Sequence, residues 1–152
     1  MDNNPYSKIL TYIDQNPIAT LGTVNLDGSP HGAVVYVCAD DDRHIVYFLT
    51  KNETRKYKNL TARDHVSLTI VNPDENSTLQ ADGRAFVADD AGIIDKVTEK
   101  LNRVHASTLE WLPPIAQLRA GTYVVIGIEV WHARLAQFEG MNLDNEHIFT
   151  QA

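Results

Sequence analysis

Five side chains within thirteen residues suggest a chemistry. Lys51, Arg55, Lys56, Lys58 and Arg63 stand against one acid, Glu53, so the window from Thr50 to Arg63 carries a net +4. The other 138 residues hold eight cations and nineteen acids, a net −11. Thr50 and Thr54 add two hydroxyls to the same window. Arg55 can grip a phosphate through two N–H groups, and Lys56 can add a point charge. If a helix starts here, its first N–H groups and its dipole favour an anion at the same place. The chemistry indicated is the capture of one small phosphate. A chain of net charge −7 with its cations in one corner does not suit a long polyanion, and no nucleic-acid partner is expected.

Other chemistries lack their residues. His31, His44, His65, His105, His132 and His147 include no pair at the i,i+3 or i,i+4 spacing that places two ligands on one helix face, so no metal site is expected. The single cysteine, Cys38, excludes an intrachain disulfide and lies in an apolar run, where a thiol is inert packing. There is no Gly-x-Ser-x-Gly elbow, no Gly-x-Gly-x-x-Gly fingerprint and no Gly-Lys-Thr phosphate loop. No acid–base pair stands out, and no catalytic residue is nominated.

The elements that must position the corner follow from periodicity. Asn3 or Asn4, with Pro5, starts a helix whose apolar face is Tyr6, Ile9, Leu10 and Ile13. Ile18–Val24 reads as a strand, Asp27-Gly28 as a hairpin turn, and His31 to about Ala39 as a second strand. The apolar run from Ala33 to Val37 predicts burial on both faces of that strand. His44–Thr50 is a third strand, and Lys51–Arg63 a short helix. Val66–Val71 is a fourth strand and Leu79–Ala88 a fifth, with Asp82-Gly83 either a turn or a bulge inside it. Asp89 or Asp90 caps a helix with the stripe Ile93, Ile94, Val97, Leu101 and Val104, which Trp111-Leu-Pro-Pro114 breaks. Gly121 to about Phe138 is a long last strand, and the tail after Gly140 has no strong period.

With 152 residues and 43% apolar content, this is one α+β domain spanning residues 1–152. Antiparallel strands in this number close into a barrel or sandwich. No apolar run reaches the ~18–20 residues needed to span a bilayer, and no secretory signal is visible, so a cytoplasmic protein without a membrane partner is expected.

The residues also carry a resemblance. Ile18-Ala-Thr-Leu-Gly-Thr-Val-Asn-Leu-Asp-Gly-Ser-Pro-His-Gly32 resembles the opening hairpin of the pyridoxamine 5'-phosphate oxidase-like, FMN-binding split-barrel family. Tyr47-Phe-Leu-Thr-Lys-Asn-Glu-Thr-Arg-Lys-Tyr-Lys-Asn-Leu60 is similar to its phosphate segment, and Val66-Ser-Leu and Gly83 to the strands that follow. The resemblance implies an antiparallel split β-barrel of about six strands with two or three flanking helices. It implies a homodimer with FMN at the subunit interface. Thr50, Thr54, Arg55 and Lys56 would hold the phosphate. Val34, Val35 and Tyr36 would run along the flavin ring. Trp131, or Arg134, would reach the flavin from the other subunit. The implied activity is hydride transfer through the flavin between an unknown small-molecule donor and acceptor.

Departures from the family pattern argue against vitamin B6 oxidation. Cys38 and Ala33 stand where the oxidases keep a lysine and an arginine. Their basic substrate segment and C-terminal Arg-x-His motif are missing. The chain is closer to the general-stress-protein-like branch. A non-catalytic flavin-binding protein, or the same fold with deazaflavin F420 or haem, is the alternative.

Overall fold

The computed structural model describes residues 4–105 and 123–151. Its elements run α1 (Pro5–Gln15), β1 (Ile18–Val24), β2 (Pro30–Ala39), β3 (Ile45–Lys51), α2 (Arg55–Ala62), β4 (His65–Asn72), β5 (Ser77–Ala88), α3 (Ala91–His105), β6 (Tyr123–Glu139) and β7 (Asn142–Thr150). All strand pairs are antiparallel, in the order β3-β2-β1-β4-β5-β6-β7. A further ladder between β3 and β6 closes the first six into a barrel and leaves β7 as an extension beside β6. The α+β split barrel expected from the sequence is the fold observed.

Local chemistry sets the short-range elements. Asn4 caps α1, its side chain accepting from the Tyr6 N–H at 3.0 Å, and Pro5 occupies the first turn. The β1–β2 hairpin turns at Gly28, whose φ of +89° is costly for any other residue. Strand β4 alternates strictly, with Val66, Leu68 and Ile70 inward. Inside the barrel, Leu21, Val35, Phe48, Leu79, Ile126 and Ile128 form one core. Helix α1 closes one mouth: Ile9 and Ile13 join that core, and Asp14 accepts from the Ala39 N–H at the end of β2. Helix α2 closes the other through Leu60 and the buried Asn59, which donates to Thr23 Oγ1 and Asn25 Oδ1.

Helix α3 lies outside the wall. Val97 and Leu101 cover Cys38, Tyr47, Ala88 and Val125. Lys100 ties this helix to the rest, pairing with Asp14 of α1 and Asp41 of the β2–β3 turn and donating to the Ala39 carbonyl. In the turn itself, Asp40 accepts from the N–H groups of Asp42 and Arg43, from the Arg43 guanidinium and from the Tyr47 hydroxyl.

Three expectations are corrected. The run from Ala33 to Val37 is not buried on both faces: Val35 and Val37 point into the core, but Val34 is 64% exposed. Helix α3 covers the far end of β2 at Cys38, Tyr36 is half-buried, and Val34 on the same face is exposed. The second helix starts at Arg55 rather than Lys51, because Lys51 continues β3 opposite Tyr123. The tail forms β7, whose side chains are mostly exposed; its backbone ladder to β6 places it, so no hydrophobic period announces it. Of the two readings of Asp82-Gly83, a turn or a bulge, the bulge is the one found, and β5 is one continuous strand. The pair faces the bulge, where Asp82 pairs His132 and Gly83 pairs Val130, leaving Trp131 as the extra residue. The breaker Trp111–Pro114 lies outside the described residues.

A Cβ on Gly83 would stand 2.0 Å from the Glu129 carbonyl oxygen. Gly83→Ala should therefore lower stability by about 2–4 kcal/mol in urea unfolding, through forced backbone shifts. A second outcome follows from Asp40. Burial pushes its carboxyl upward, but the Asp42 and Arg43 N–H groups and the Arg43 guanidinium outweigh this and hold it below the ordinary carboxylate value. Its contribution is present above the unfolded value near pH ~4 and is lost as pH falls through the lower folded value. Asp40→Asn should cost about 1–3 kcal/mol at pH 7, and the gap between the two proteins should close on acidification.

Candidate functional site

The corner begins where β3 ends. Thr50 is buried, and its Oγ1 lies 2.9 Å from Thr54 Oγ1. Thr54 caps α2: its Oγ1 accepts from the Tyr57 N–H at 3.3 Å and lies 3.0 Å from the Lys51 carbonyl, to which it can donate. The two hydroxyls thus lock the strand end to the helix start. The N–H groups of Arg55 and Lys56 come before the first helical bond and belong to the anion-favouring end. Lys56 is half-buried, and that burial pushes its ammonium below the usual lysine value. Among the described residues, no carboxylate forms an ion pair with Arg55, Lys56 or Lys58. Lys51 instead lies over the Tyr123 ring, 5.5 Å from its centre. Thr50 and Thr54 are thus brought into contact, and Arg55 and Lys56 follow as the first two residues of α2; the Arg55 side chain lines a hollow with Asn25, Asp27, Glu53 and Lys58 beside the β1–β2 turn.

Beside them the barrel wall opens. Strands β2 and β3 pair only at Val37↔Phe48, Cys38↔Tyr47 and Ala39↔Val46. From there β3 follows β6 for seven pairs, as far as Lys51↔Tyr123, while β2 follows β1 back to Pro30↔Val24. The Val37 N–H donates to the Pro17 carbonyl on the β1 side. By alternation, the main-chain groups of Val34 turn to the other side, toward the opening. The side chains of Val34 and Tyr36 stand on the outer face, whereas that of Val35 lies in the core. Val35 presents neither to the split: its side chain lies in the core, and by the same alternation its main-chain groups face Ala19 of β1.

Trp131 is not brought to this corner within one chain. Thr50 pairs Val124, and Trp131 lies seven residues further along β6, roughly 23 Å away. Its indole meets the His65 ring edge-on, with centres 4.9 Å apart. Arg134 is held in an ion pair with Glu146 of β7. His31 approaches Thr23 Oγ1 at 3.5 Å.

A second hollow, of about 250 Å³, lies between α3 and the β2–β3 turn, with Cys38, Tyr47, Val97, Lys100 and Arg103 in its wall. Sequence reading missed it, because Lys100 and the turn it reaches lie about sixty residues apart. Lys100 is held charged: burial opposes its charge, but Asp41 and Asp14 outweigh burial and raise its value. Cys38, only 1% exposed, is pushed up to about 12 by burial, so its thiol stays protonated and enclosed. Sequence reading also left the role of Asn59 unassigned, although the Asn59-Leu60 pair was visible; it is the bolt between α2 and the β1 end. Among the described residues, no three His, Cys, Asp or Glu side chains gather into a metal-binding group, and no helix is long and apolar enough to cross a membrane.

Known proteins place this arrangement. No curated protein matches the sequence. A conserved hypothetical protein from Mycobacterium tuberculosis superposes with a TM-score of 0.73 at 19% identity, over 95% of this chain and 93% of that one. A pyridoxamine 5'-phosphate oxidase-related, FMN-binding protein from Nostoc punctiforme superposes with a TM-score of 0.71 at 13% identity, over 100% of this chain and 94% of that one. The heme storage protein of Vibrio cholerae superposes with a TM-score of 0.64 at 14% identity, over 97% of this chain and 94% of that one. These likenesses establish a shared fold. The sequence model of the pyridoxamine 5'-phosphate oxidase family matches residues 7–135, from α1 through most of β6 and its bulge. The chain belongs to the pyridoxamine 5'-phosphate oxidase family.

Proposed function

We propose that this protein binds FMN in the split between β2 and β3 and works as a dimeric flavin-dependent oxidoreductase. One observation carries the reading: the split opens directly beside the Thr50–Thr54 hydroxyl pair and the start of α2, whose first two residues, Arg55 and Lys56, form no ion pair among the described residues. A phosphomonoester fits that corner. The helix N–H groups supply donors, the two hydroxyls hold the strand end against the helix start, and Arg55 and Lys56 supply positive charge. The main chain of β2 at Val34, and the outward side chains of Val34 and Tyr36, then meet a flat ring system lying along the strand. When bound, FMN supplies hydride-transfer chemistry, and the protein supplies binding, orientation and exclusion of water. The FMN-binding relative from Nostoc punctiforme supports this choice of cofactor, while the Vibrio cholerae relative shows that the fold also occurs in a heme storage protein.

The dimer follows from what one chain leaves open. Ile18, Val34 and Val71 stand 45%, 64% and 64% exposed on β1, β2 and β4, which are neighbours in the sheet. A second copy of the chain is the proposed cover, and it would bring its own Trp131 toward the flavin. One observation favours a carrier rather than an enzyme: Cys38 is enclosed and protonated where the family's oxidases present a substrate lysine. Whether FMN-loaded protein oxidises a reduced nicotinamide at all distinguishes the two.

Arg55→Ala combined with Lys56→Ala should weaken FMN binding at least about tenfold, since hydrogen bonds to charged groups contribute roughly 1.5–3 kcal/mol each. Riboflavin, which lacks the phosphate, should bind the parent and the variant alike. Unchanged FMN affinity in a folded double variant contradicts the phosphate assignment. Val34→Asp should convert a dimer to a monomer in light scattering and abolish FMN binding. A parent protein that is monomeric and still binds FMN tightly contradicts the interface site.

A further inference from the structure

The bulge in β6 is fixed on every side. The Val130 N–H donates to the His44 carbonyl at 2.8 Å, and the Gln151 N–H donates to the Trp131 carbonyl at 2.8 Å. Gly83 gives Glu129 the room it takes in the facing strand. Such a bulge adds one residue and re-aims its side chain. The side chain so aimed is a half-buried indole. Among the described residues its aromatic neighbour is His65, the first residue of β4, with ring centres 4.9 Å apart and planes at 82°.

The backbone beside His65 is held in place, while its side chain is 75% exposed. The preceding residue, Asp64, accepts from the Ala85 N–H at 2.7 Å through its carbonyl. Its carboxylate accepts from Arg84 Nε at 2.8 Å and lies 3.9 Å from His65 Nε2. His65 pairs Arg84 across the β4–β5 ladder. The two strands flanking β5 therefore send one ring each over it, and the rings meet edge to face. The interplanar angle is the geometry that aromatic quadrupoles prefer.

We infer that His65 is a positioning residue, which holds the Trp131 indole at the angle with which it meets the flavin of the second subunit. The inference rests on the FMN reading above. The support is ring against ring, with no hydrogen bond from the imidazole to the indole. Another aromatic ring at position 65 serves as well, and a small side chain does not.

Trp111→Phe leaves Trp131 as the only tryptophan and gives the parent for the test. Three quantities are read: acrylamide quenching of Trp131 without flavin, quenching of Trp131 by bound FMN, and FMN affinity. His65→Ala should raise acrylamide quenching, reduce the quenching per bound FMN and weaken FMN binding roughly two- to tenfold, the range that one aromatic contact represents. His65→Phe should restore all three. The thermal midpoint of each variant without flavin verifies that it is folded. If the parent binds FMN and His65→Ala changes neither affinity nor flavin quenching, the positioning role is overturned and the FMN site stands. If His65→Phe is folded and restores nothing, the ring-support account is overturned. If the parent binds no FMN, the flavin reading falls and this inference falls with it.

Discussion

Everything at the candidate site depends on how β3 divides its pairing. Seven residues of β3 pair with β6, but only three pair with β2. The long ladder closes the barrel, and the short one leaves it split. β2 keeps its ladder to β1 along its whole outward run, so it is a rigid strand whose open side faces the split. Thr50, near the end of the seven-pair ladder, then hands the chain to Thr54 and α2. The basic corner and the opening are adjacent because one strand ends at both.

The three helices hold this geometry from different sides. Leu60 and Asn59 seat α2 in the barrel mouth, which fixes the direction of its N-terminus. Lys100 draws α3, the β2–β3 turn and α1 together through Asp41, Asp14 and the Ala39 carbonyl. That clamp sits at the paired end of β2 and β3, opposite the corner. The wall is thus closed at one end and open at the other. The same clamp encloses Cys38 in the packing between α3 and the wall.

The sequence made the corner legible because it is local. A strand end, a capping threonine and a basic first turn fall within seven residues, and each has its own residue signal. The hairpin at Gly28 was legible for the same reason. The split itself was not, because no residue type marks where one ladder stops and another continues. Val34 was misjudged because a continuous apolar run reads alike whether a helix or a second subunit covers it. β7 escaped because only Phe149 of its side chains is buried. The bulge was visible as an alternative at Gly83, but the residue it re-aims lies on the facing strand, 48 positions later. Position 65 gave no signal, since a lone histidine at a strand start has no pattern.

The account reduces to one claim, that the corner and the split together hold a flavin bearing a phosphate. The most direct measurement offers FMN and haem together to the purified protein, removes unbound ligand by gel filtration and records the absorption spectrum of the protein fraction. The account predicts the two bands of oxidised flavin, at one flavin per chain. A Soret band without flavin bands, or a protein fraction carrying neither chromophore, would contradict it.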